Sequence, residues 1–574
     1  MILSGRSKLV LTSISSVALI ALLSQNAQAA TVTQRPPAPA PRTQAALNYS
    51  PSGVGNNVTN PTWGSTQTAF LRQSPAAYAD GVATPAGVNR ASARAISNAI
   101  NADTTDTPNA RGLSDLIYVF GQFLDHDITR TTSTTGASVE SLKISIPTGD
   151  VQFDPLSTGT KTMSLTRSAF VSSTGLAAGN PRQQTNSVTS FIDASMVYGS
   201  DAARATALRT LSGGKLKTSA GNMLPFNTMG LSNDNDARVL PDTSLFAAGD
   251  ERANENPSLV ALQTLFMREH NRIATALAAA NPLLTDEQLY QRARTRVIAE
   301  LQWITYNEFL PALLGDRALP RYTGYSATVN PSISNEFATA AYRFGHSMLD
   351  STIGRANNDG STIPEGNLTL RESFFNTTVF NSTLPNHEGD IDPLLKAAST
   401  GIGQEVDVKI VDDVRNFLFG APGSGGFDLA ALNIERGRDH GLADYNTVRA
   451  AYGLPRLTSF SQITTNAALA ASLASTYTSI DNVDLWVAGL AEDHVRGGSL
   501  GPLFTRIVAD QFTRLRTGDR LYFEASMPAA EQAQVKHTTL ANIIRANTAL
   551  TTIQRQAFFA PTGGSVSSTL RTQG

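Results

Sequence analysis

Apolar residues recur three and four positions apart along most of this chain, and stretches of strict alternation are few. That pattern predicts a mainly α-helical protein. LSDLIYVFGQFL predicts a helix from about Leu113 to Asp127. A second opens at Asn256-Pro257, an N-cap followed by proline at the first helical position, and runs through LVALQTLFMREHNRIATALAAA. Thr285-Asp286-Glu287-Gln288 forms a capping box for a third, which continues to about Leu314 before Gly315. A fourth begins after Asn330-Pro331 and contains His346. Further helices are expected around 406–418, 466–476 and 500–516, and SLKISIP (141–147) alternates as a strand would. No internal repeat or long linker interrupts the middle of the chain, so one large helical domain with a few short strands is the expected fold.

The two ends differ from this middle. Arg6 and Lys8, the apolar run Leu9 to Leu23 and the small-x-small triplet Ala27-Gln28-Ala29 read as a signal peptide over residues 1–29. The run is short and broken by Thr12, Ser13, Ser15 and Ser16, which argues against a membrane anchor. Residues 30–55, with RPPAPAPR, read as a Pro/Ala-rich linker, 56–560 as the domain, and the Ser/Thr/Gly-rich 561–574 as a flexible tail. Export to the periplasm or the medium is the expectation.

The 574 residues suit one large domain. With 45 Lys and Arg against 47 Asp and Glu the net charge is −2, and no basic stripe carries interleaved aromatics, so nucleic acid is not an expected partner. Cysteine is absent. Disulfides, zinc–thiolate sites, iron–sulfur clusters and a thiolate-ligated haem are therefore excluded. A cysteine-free exported chain fits a bacterial protein better than an animal one. Oligomeric state is left open.

The chemistry concentrates in five short stretches. In FGQFLDHDIT, His126 sits between Asp125 and Asp127, one helical turn after Gln122. Ionisable groups at the end of an apolar helix are costly unless each has a partner. In TSFIDAS, oxygen donors fall at alternate positions, Thr189, Phe191 by its carbonyl, Asp193 and Ser195, a spacing that can wrap a hard cation, with Asp127 as a second carboxylate. A turn with one solvated Asp is the alternative. Arg252 and Glu255 precede the second helix and gain meaning only if they face His126; otherwise they form a surface pair. In AAYRFGHSML, small neighbours surround His346, whose neutral imidazole suits an axial iron ligand. In DLAALNIERGRDHG, Asn433 lies in an apolar setting, as a hydrogen-bond acceptor for that imidazole or as a turn cap.

These stretches, in this order, resemble the animal-type haem peroxidases of the peroxidase–cyclooxygenase superfamily. PTWGSTQTAFLR (61–72), LFMREHNRIA, DLWVAGLAED (484–493) and FTRLRTGDRLYFE (512–524) extend the similarity over about residues 60–560. The resemblance implies haem b and Ca2+ as cofactors. It makes His126 the distal acid–base histidine, Arg252 the distal arginine, and Gln122 the glutamine bordering the halide and water site. Asp125 and Glu255 match carboxylates that can form esters with haem methyl groups. His346 matches the iron ligand and Asn433 the acceptor of its hydrogen bond, with Arg343 and Arg436 at the propionates. Asp127, Thr189, Phe191, Asp193 and Ser195 match the calcium ligands. The implied activity is reduction of H2O2 through a ferryl haem intermediate, with halides, thiocyanate or small phenols as donors. Asn256 stands where the leukocyte member carries a methionine bonded to the haem vinyl, so that link is not expected. A fatty-acid dioxygenase of the same superfamily is the alternative. Against it, Arg343 occupies the place of the radical tyrosine, three residues before the histidine, and Tyr342 is one place off. A non-catalytic adhesion or matrix module is a second alternative.

Overall fold

The computed structural model describes residues 48–561, apart from 104, 137–138 and 381–389. The signal peptide, most of the linker and nearly all of the tail lie outside the described residues. Helices dominate, and the strands are short antiparallel pairs. Ser141–Ser145 pairs with Thr162–Thr166 in the register Leu142↔Leu165, so the expected strand exists and finds its partner in a hairpin. Thr68–Ala69 pairs with Thr185–Asn186, and Thr352–Ile353 with Leu368–Thr369.

Five helices frame the interior: α1, Leu116–Ile128; α2, Pro257–Ala280; α3, Asp286–Ile304; α4, Leu429–Asp439; and α5, Pro502–Thr517. Local chemistry sets their starts. Asn256 caps α2 by accepting from the Leu259 N–H, and Pro257 follows at N1. Thr285 and Gln288 complete the capping box of α3. Past Ile304 the helical path widens into a π-turn at Thr305–Phe309 and resumes at Leu310–Leu314.

α1 and α2 pack through buried aromatics. Phe123 stacks on Phe266 with centroids 5.1 Å apart, and Phe120 meets Phe309 at 5.4 Å and Phe558 at 5.3 Å. Each fully buried Phe contributes about 2–3 kcal/mol. This packing fixes the axis of α1, and with it the direction in which His126 points.

Three expectations need correction. The helix expected through His346 is broken: Asn335–Thr339 is α-helical, Ala340 leaves helical geometry (φ −135°, ψ −67°), and Ala341–Met348 continues as a 3₁₀ stretch. Around 406–418 only Asp412–Arg415 forms a turn of helix. The folded domain also begins before residue 56. Tyr49 is buried, its hydroxyl donates to Asp519 at 2.6 Å, and Asn56 donates to the same carboxylate at 2.7 Å. Proline-rich composition ended several residues before the linker boundary drawn from it.

One buried ion network secures α4. Arg94 is paired with Asp150 (2.7 Å) and with Asp428 (2.7 Å), and it donates to Asn416. Asp428 is the N-cap of α4, accepting from the Ala431 N–H. The guanidinium therefore holds the start of the helix that carries Asn433.

Candidate active site

A cavity of about 1170 Å³ opens between α1, α4, the loop before α2 and the 3₁₀ stretch. Gln122, Asp125, His126, Arg252, Glu255, Arg343, His346, Asn433 and Arg436 all line it. Every proposed catalytic and haem-contacting side chain is thus brought together. Asp127, Thr189, Phe191, Asp193 and Ser195 are gathered separately, behind His126, and are buried.

His126 is buried and faces two carboxylates. Its Nδ1 lies 3.5 Å from Asp250 and its Nε2 3.5 Å from Glu255, both longer than a normal hydrogen bond. Gln122 donates to Glu255 at 2.6 Å, and Asn256 donates to Gln122 at 2.8 Å. One amide chain therefore runs from the cap of α2 to the carboxylate beside the histidine.

Arg252 does not stand alone with Glu255. Asp250 grips it with both oxygens, from Nε at 2.8 Å and Nη2 at 2.9 Å, while Nη2 also donates to the Thr129 carbonyl at 3.0 Å. Asp125 is a weaker partner at 3.5 Å. Burial alone would raise the Asp250 carboxyl, but Arg252 and then His126 bring it well below the usual carboxylate range. Asp125 has less compensation, and burial leaves its carboxyl raised.

Asp250 is a residue that the sequence reading missed. A signal existed in Gly249. A Cβ added there would fall 2.2 Å from the Ser195 carbonyl, so the chain before Asp250 runs directly against the TSFIDAS loop. Only glycine permits that approach.

On the His346 side, burial and then the nearby Arg343 charge lower the imidazole to about 3, which keeps it neutral as an iron ligand requires. The Asn433 amide has an unexpected orientation. Its nitrogen lies 2.8 Å from His346 Nδ1, and its oxygen accepts from Arg343 Nη1 at 2.9 Å. Arg343 thus holds the acceptor that the imidazole was expected to use. Turning the oxygen to His346 requires another anion to take Arg343.

That anion has a place. Burial, and then repulsion from Arg436, lower the Arg343 guanidinium to about 10. Arg436 spends Nη1 on the Thr166 carbonyl, Ser168 and Asp439. Two mutually repelling arginines in one buried cavity fit the carboxylates of a haem, and His346 fits its iron.

The loop behind His126 fits a cation. Ala194 adopts left-handed geometry (φ +59°), which turns the N–H groups of Ala194 and Ser195 onto Asp127, at 3.1 and 2.5 Å. Thr189 donates to Asp193 at 3.1 Å, and Asp193 Oδ2 is buried without a partner. Burial raises the Asp127 carboxyl to about 7 and lifts Asp193 well above its ordinary value, with the Asp127 charge adding to the latter. Two buried like charges and an orphaned oxygen suit a hard cation. Among the described residues no three His, Asp or Glu side chains form a metal cage, so hydroxyl and carbonyl oxygens would complete the shell.

A large helical domain with a cavity that joins His126 and His346 with Arg252, Arg343 and Arg436 and the carboxylates of Asp125 and Glu255 defines a haem-enzyme scaffold. The comparisons agree. The animal haem peroxidase family matches residues 49–558, and the chain belongs to that family. Peroxinectin A of Dictyostelium discoideum is 36% identical over 507 residues, covering 87% of this chain and 92% of the relative. Mouse thyroid peroxidase is 34% identical over 569 residues, covering 90% of this chain and 61% of the relative. Peroxidasin of Drosophila melanogaster is 35% identical, with 82% of this chain matching 33% of that longer protein. Among solved structures, peroxidase A from Dictyostelium discoideum superposes with a TM-score of 0.83 at 34% identity, covering 90% of this chain and all of the other. An Arabidopsis thaliana fatty acid alpha-dioxygenase shares the fold at a TM-score of 0.71 and 20% identity, covering 89% of this chain and 83% of the other. The enzyme is a haem-dependent peroxidase.

Proposed function

We propose that this peroxidase reduces H2O2 at the cavity between His126 and His346, using halide, thiocyanate or small phenolic donors. The observation that carries the reading is the convergence of His126, Arg252 and His346 on one cavity of about 1170 Å³. When bound, the haem supplies a redox-active iron held by His346, with Arg343 and Arg436 at its carboxylates.

The chain's own groups move the protons. His126 accepts one proton from H2O2 and returns it to the leaving oxygen, as general base and then general acid. Arg252 offers fixed positive charge to the oxygen that becomes negative, and Asp250 keeps it in place. Gln122, held by Asn256, orders water beside the imidazole. The buried setting strengthens each of these interactions.

Asp125 and Glu255 both face the cavity and are the candidates for ester links to the haem. The Asp127, Thr189, Phe191, Asp193 and Ser195 cluster is the candidate Ca2+ site. The charged–apolar–AQA order of residues 1–29 supports export. The dioxygenase alternative is disfavoured by Arg343 three residues before His346 and by the low identity to those structures.

The test is a visible spectrum of the haem-loaded protein before and after one equivalent of H2O2, beside His126→Ala. A Soret band that shifts at once in the wild type, and about 100-fold or more slowly in the variant, supports the reading. A haem spectrum indifferent to peroxide refutes it.

A further inference from the structure

Tyr342 lines the inner cavity and begins a series of aromatic rings that leads out of the molecule. It stacks on Phe337 at 4.6 Å and meets Phe512 at 5.7 Å. Phe512 lies 6.2 Å from Tyr306, and Tyr306 lies 5.7 Å from Tyr522. There the series forks. One branch ends at the half-buried Tyr322, 4.8 Å from Tyr522. The other passes through Phe523 at 5.0 Å to Trp303 at 6.2 Å. Trp303 is half-buried in the wall of a second cavity, of about 1470 Å³.

That second cavity is basic and aromatic. Arg111, Arg317, Arg496 and Arg555 line it against the acids Glu308 and Asp316. Arg111 lies over the Phe559 ring at 5.8 Å. Such a wall favours a flat, negatively charged guest.

We propose that these rings carry electrons inward from the second cavity, which serves as an outer site for aromatic anions too bulky for the inner one. The proposal rests on the peroxidase reading. Phenylalanine resists oxidation, and the buried Tyr342 hydroxyl has no partner to take its proton, so the stations are Tyr306, Tyr522 and Trp303, with Tyr342, Phe512 and Phe523 as the packed medium between them and the inner cavity. Arg516 lies 4.8 Å from the Tyr306 centroid and 5.4 Å from that of Tyr322, which disfavours a ring cation there. Oxidation of either phenol must therefore displace its proton. Tyr306 donates to the Phe512 carbonyl at 2.8 Å, a weak base, so it is a transient station. Trp303 is half-buried and exchanges its proton with water, whereas the Tyr322 hydroxyl is buried without a partner, so that branch is a dead end.

The balance closes on H2O2 as oxidant. Two phenols each lose one electron and one proton, H2O2 gains both pairs and becomes two waters, and two phenoxyl radicals leave the outer site. Each electron passes from the phenol to Trp303 and then through Tyr522 and Tyr306, past the Tyr342 ring, to the inner cavity.

The experiment uses haem-loaded protein, a nitrone spin trap with peptide mass spectrometry, and two donors. Iodide enters the inner cavity. Tyramine-substituted dextran sulfate presents phenols on an anionic polymer too thick to enter. After H2O2 alone, a trap adduct is expected at Trp303 and none at Tyr322. Tyr522→Phe should lower that adduct and polymer oxidation roughly tenfold, with iodide oxidation unchanged. Trp303→Phe should lower polymer oxidation alone. A wild-type adduct and polymer rate in Tyr522→Phe overturn the proposal, as does a wild type that oxidises iodide without forming the Trp303 adduct. If Tyr522→Phe fails to fold, polymer oxidation by Trp303→Phe decides alone. A wild type inert to both peroxide and iodide refutes the peroxidase reading instead.

Discussion

Replacing Asp250 by alanine should damage both stability and peroxide reactivity, because one carboxylate holds the arginine and faces the histidine. Arg252 loses two charge-assisted bonds, of 2.8 and 2.9 Å, and its backbone N–H loses a third acceptor at 2.9 Å. Each charged bond is worth about 1.5–3 kcal/mol. Breaking a buried pair by removing one partner costs roughly 3–5 kcal/mol, since the other charge stays buried. Both side chains are largely buried, Asp250 at 2% and Arg252 at 12% exposure, so solvent recovers little of that loss. The Thr129 carbonyl at 3.0 Å, and Asp125 and the His126 carbonyl at 3.5 Å, are the partners left, and none of them grips the guanidinium with two oxygens. A displacement of about 1 Å costs about 100-fold in rate. The expected result is an unfolding free energy lowered by roughly 3 kcal/mol in urea titration, with the stopped-flow rate for H2O2 reduced about 100-fold. In an Arg252→Lys background the same change should cost little more, because the bidentate pair is already gone. A variant that reacts with peroxide within threefold of wild type, or full additivity with Arg252→Lys, would refute the reasoning.

Three other predictions follow from buried groups. Arg94→Ala strands Asp150 and Asp428 and frees the start of α4, so unfolding free energy should fall by about 3–5 kcal/mol, measured by urea titration. His270 is buried between Tyr198 and the Gly214 carbonyl, and burial lowers it from 6.5 to about 4. Below pH 6.5 the unfolded chain takes a proton that the folded one refuses. About 3 kcal/mol of stability should therefore be lost as pH falls from 6.5 to 4, and His270→Gln should flatten that part of the stability–pH curve. Asp193→Asn removes one of two adjacent buried carboxylates. It should raise the melting temperature in EDTA and abolish the gain of about 2.7 kcal/mol expected for wild type at 100-fold excess of Ca2+ over Kd; a variant less stable in EDTA would contradict the cation reading.

The parts of this protein legible from sequence were those fixed by short-range rules. α1, α2 and α3 follow from apolar periodicity and from caps at Asn256 and Thr285, and each begins within a few residues of its expected start. The helix through His346 failed the same reading because its interruption at Ala340 has no local signal. Neither proline nor glycine marks the break, and tertiary packing sets it. Asp250 was overlooked because its role depends on a fold that brings the loop before α2 to α1, a distance of more than a hundred residues in the chain. The Asn433 orientation was unreadable in principle: which end of an amide faces His346 depends on where Arg343 directs its Nη1. Spacing nominated Asp193, with Asp127 on α1 as the second carboxylate, but only their common burial shows that they repel.

Asn256 links two properties that would otherwise vary independently. Its oxygen begins α2 by accepting from Leu259, while its nitrogen steadies Gln122 beside Glu255. A sulfur-bearing residue at this point would surrender both roles in one substitution. The helix would lose a cap worth about 1 kcal/mol, and Gln122 would keep only its bond to Glu255 next to the acid–base imidazole. A lineage acquiring a further covalent tether to its cofactor here would therefore need a compensating cap and a new anchor for the glutamine, which makes the asparagine a barrier to that route.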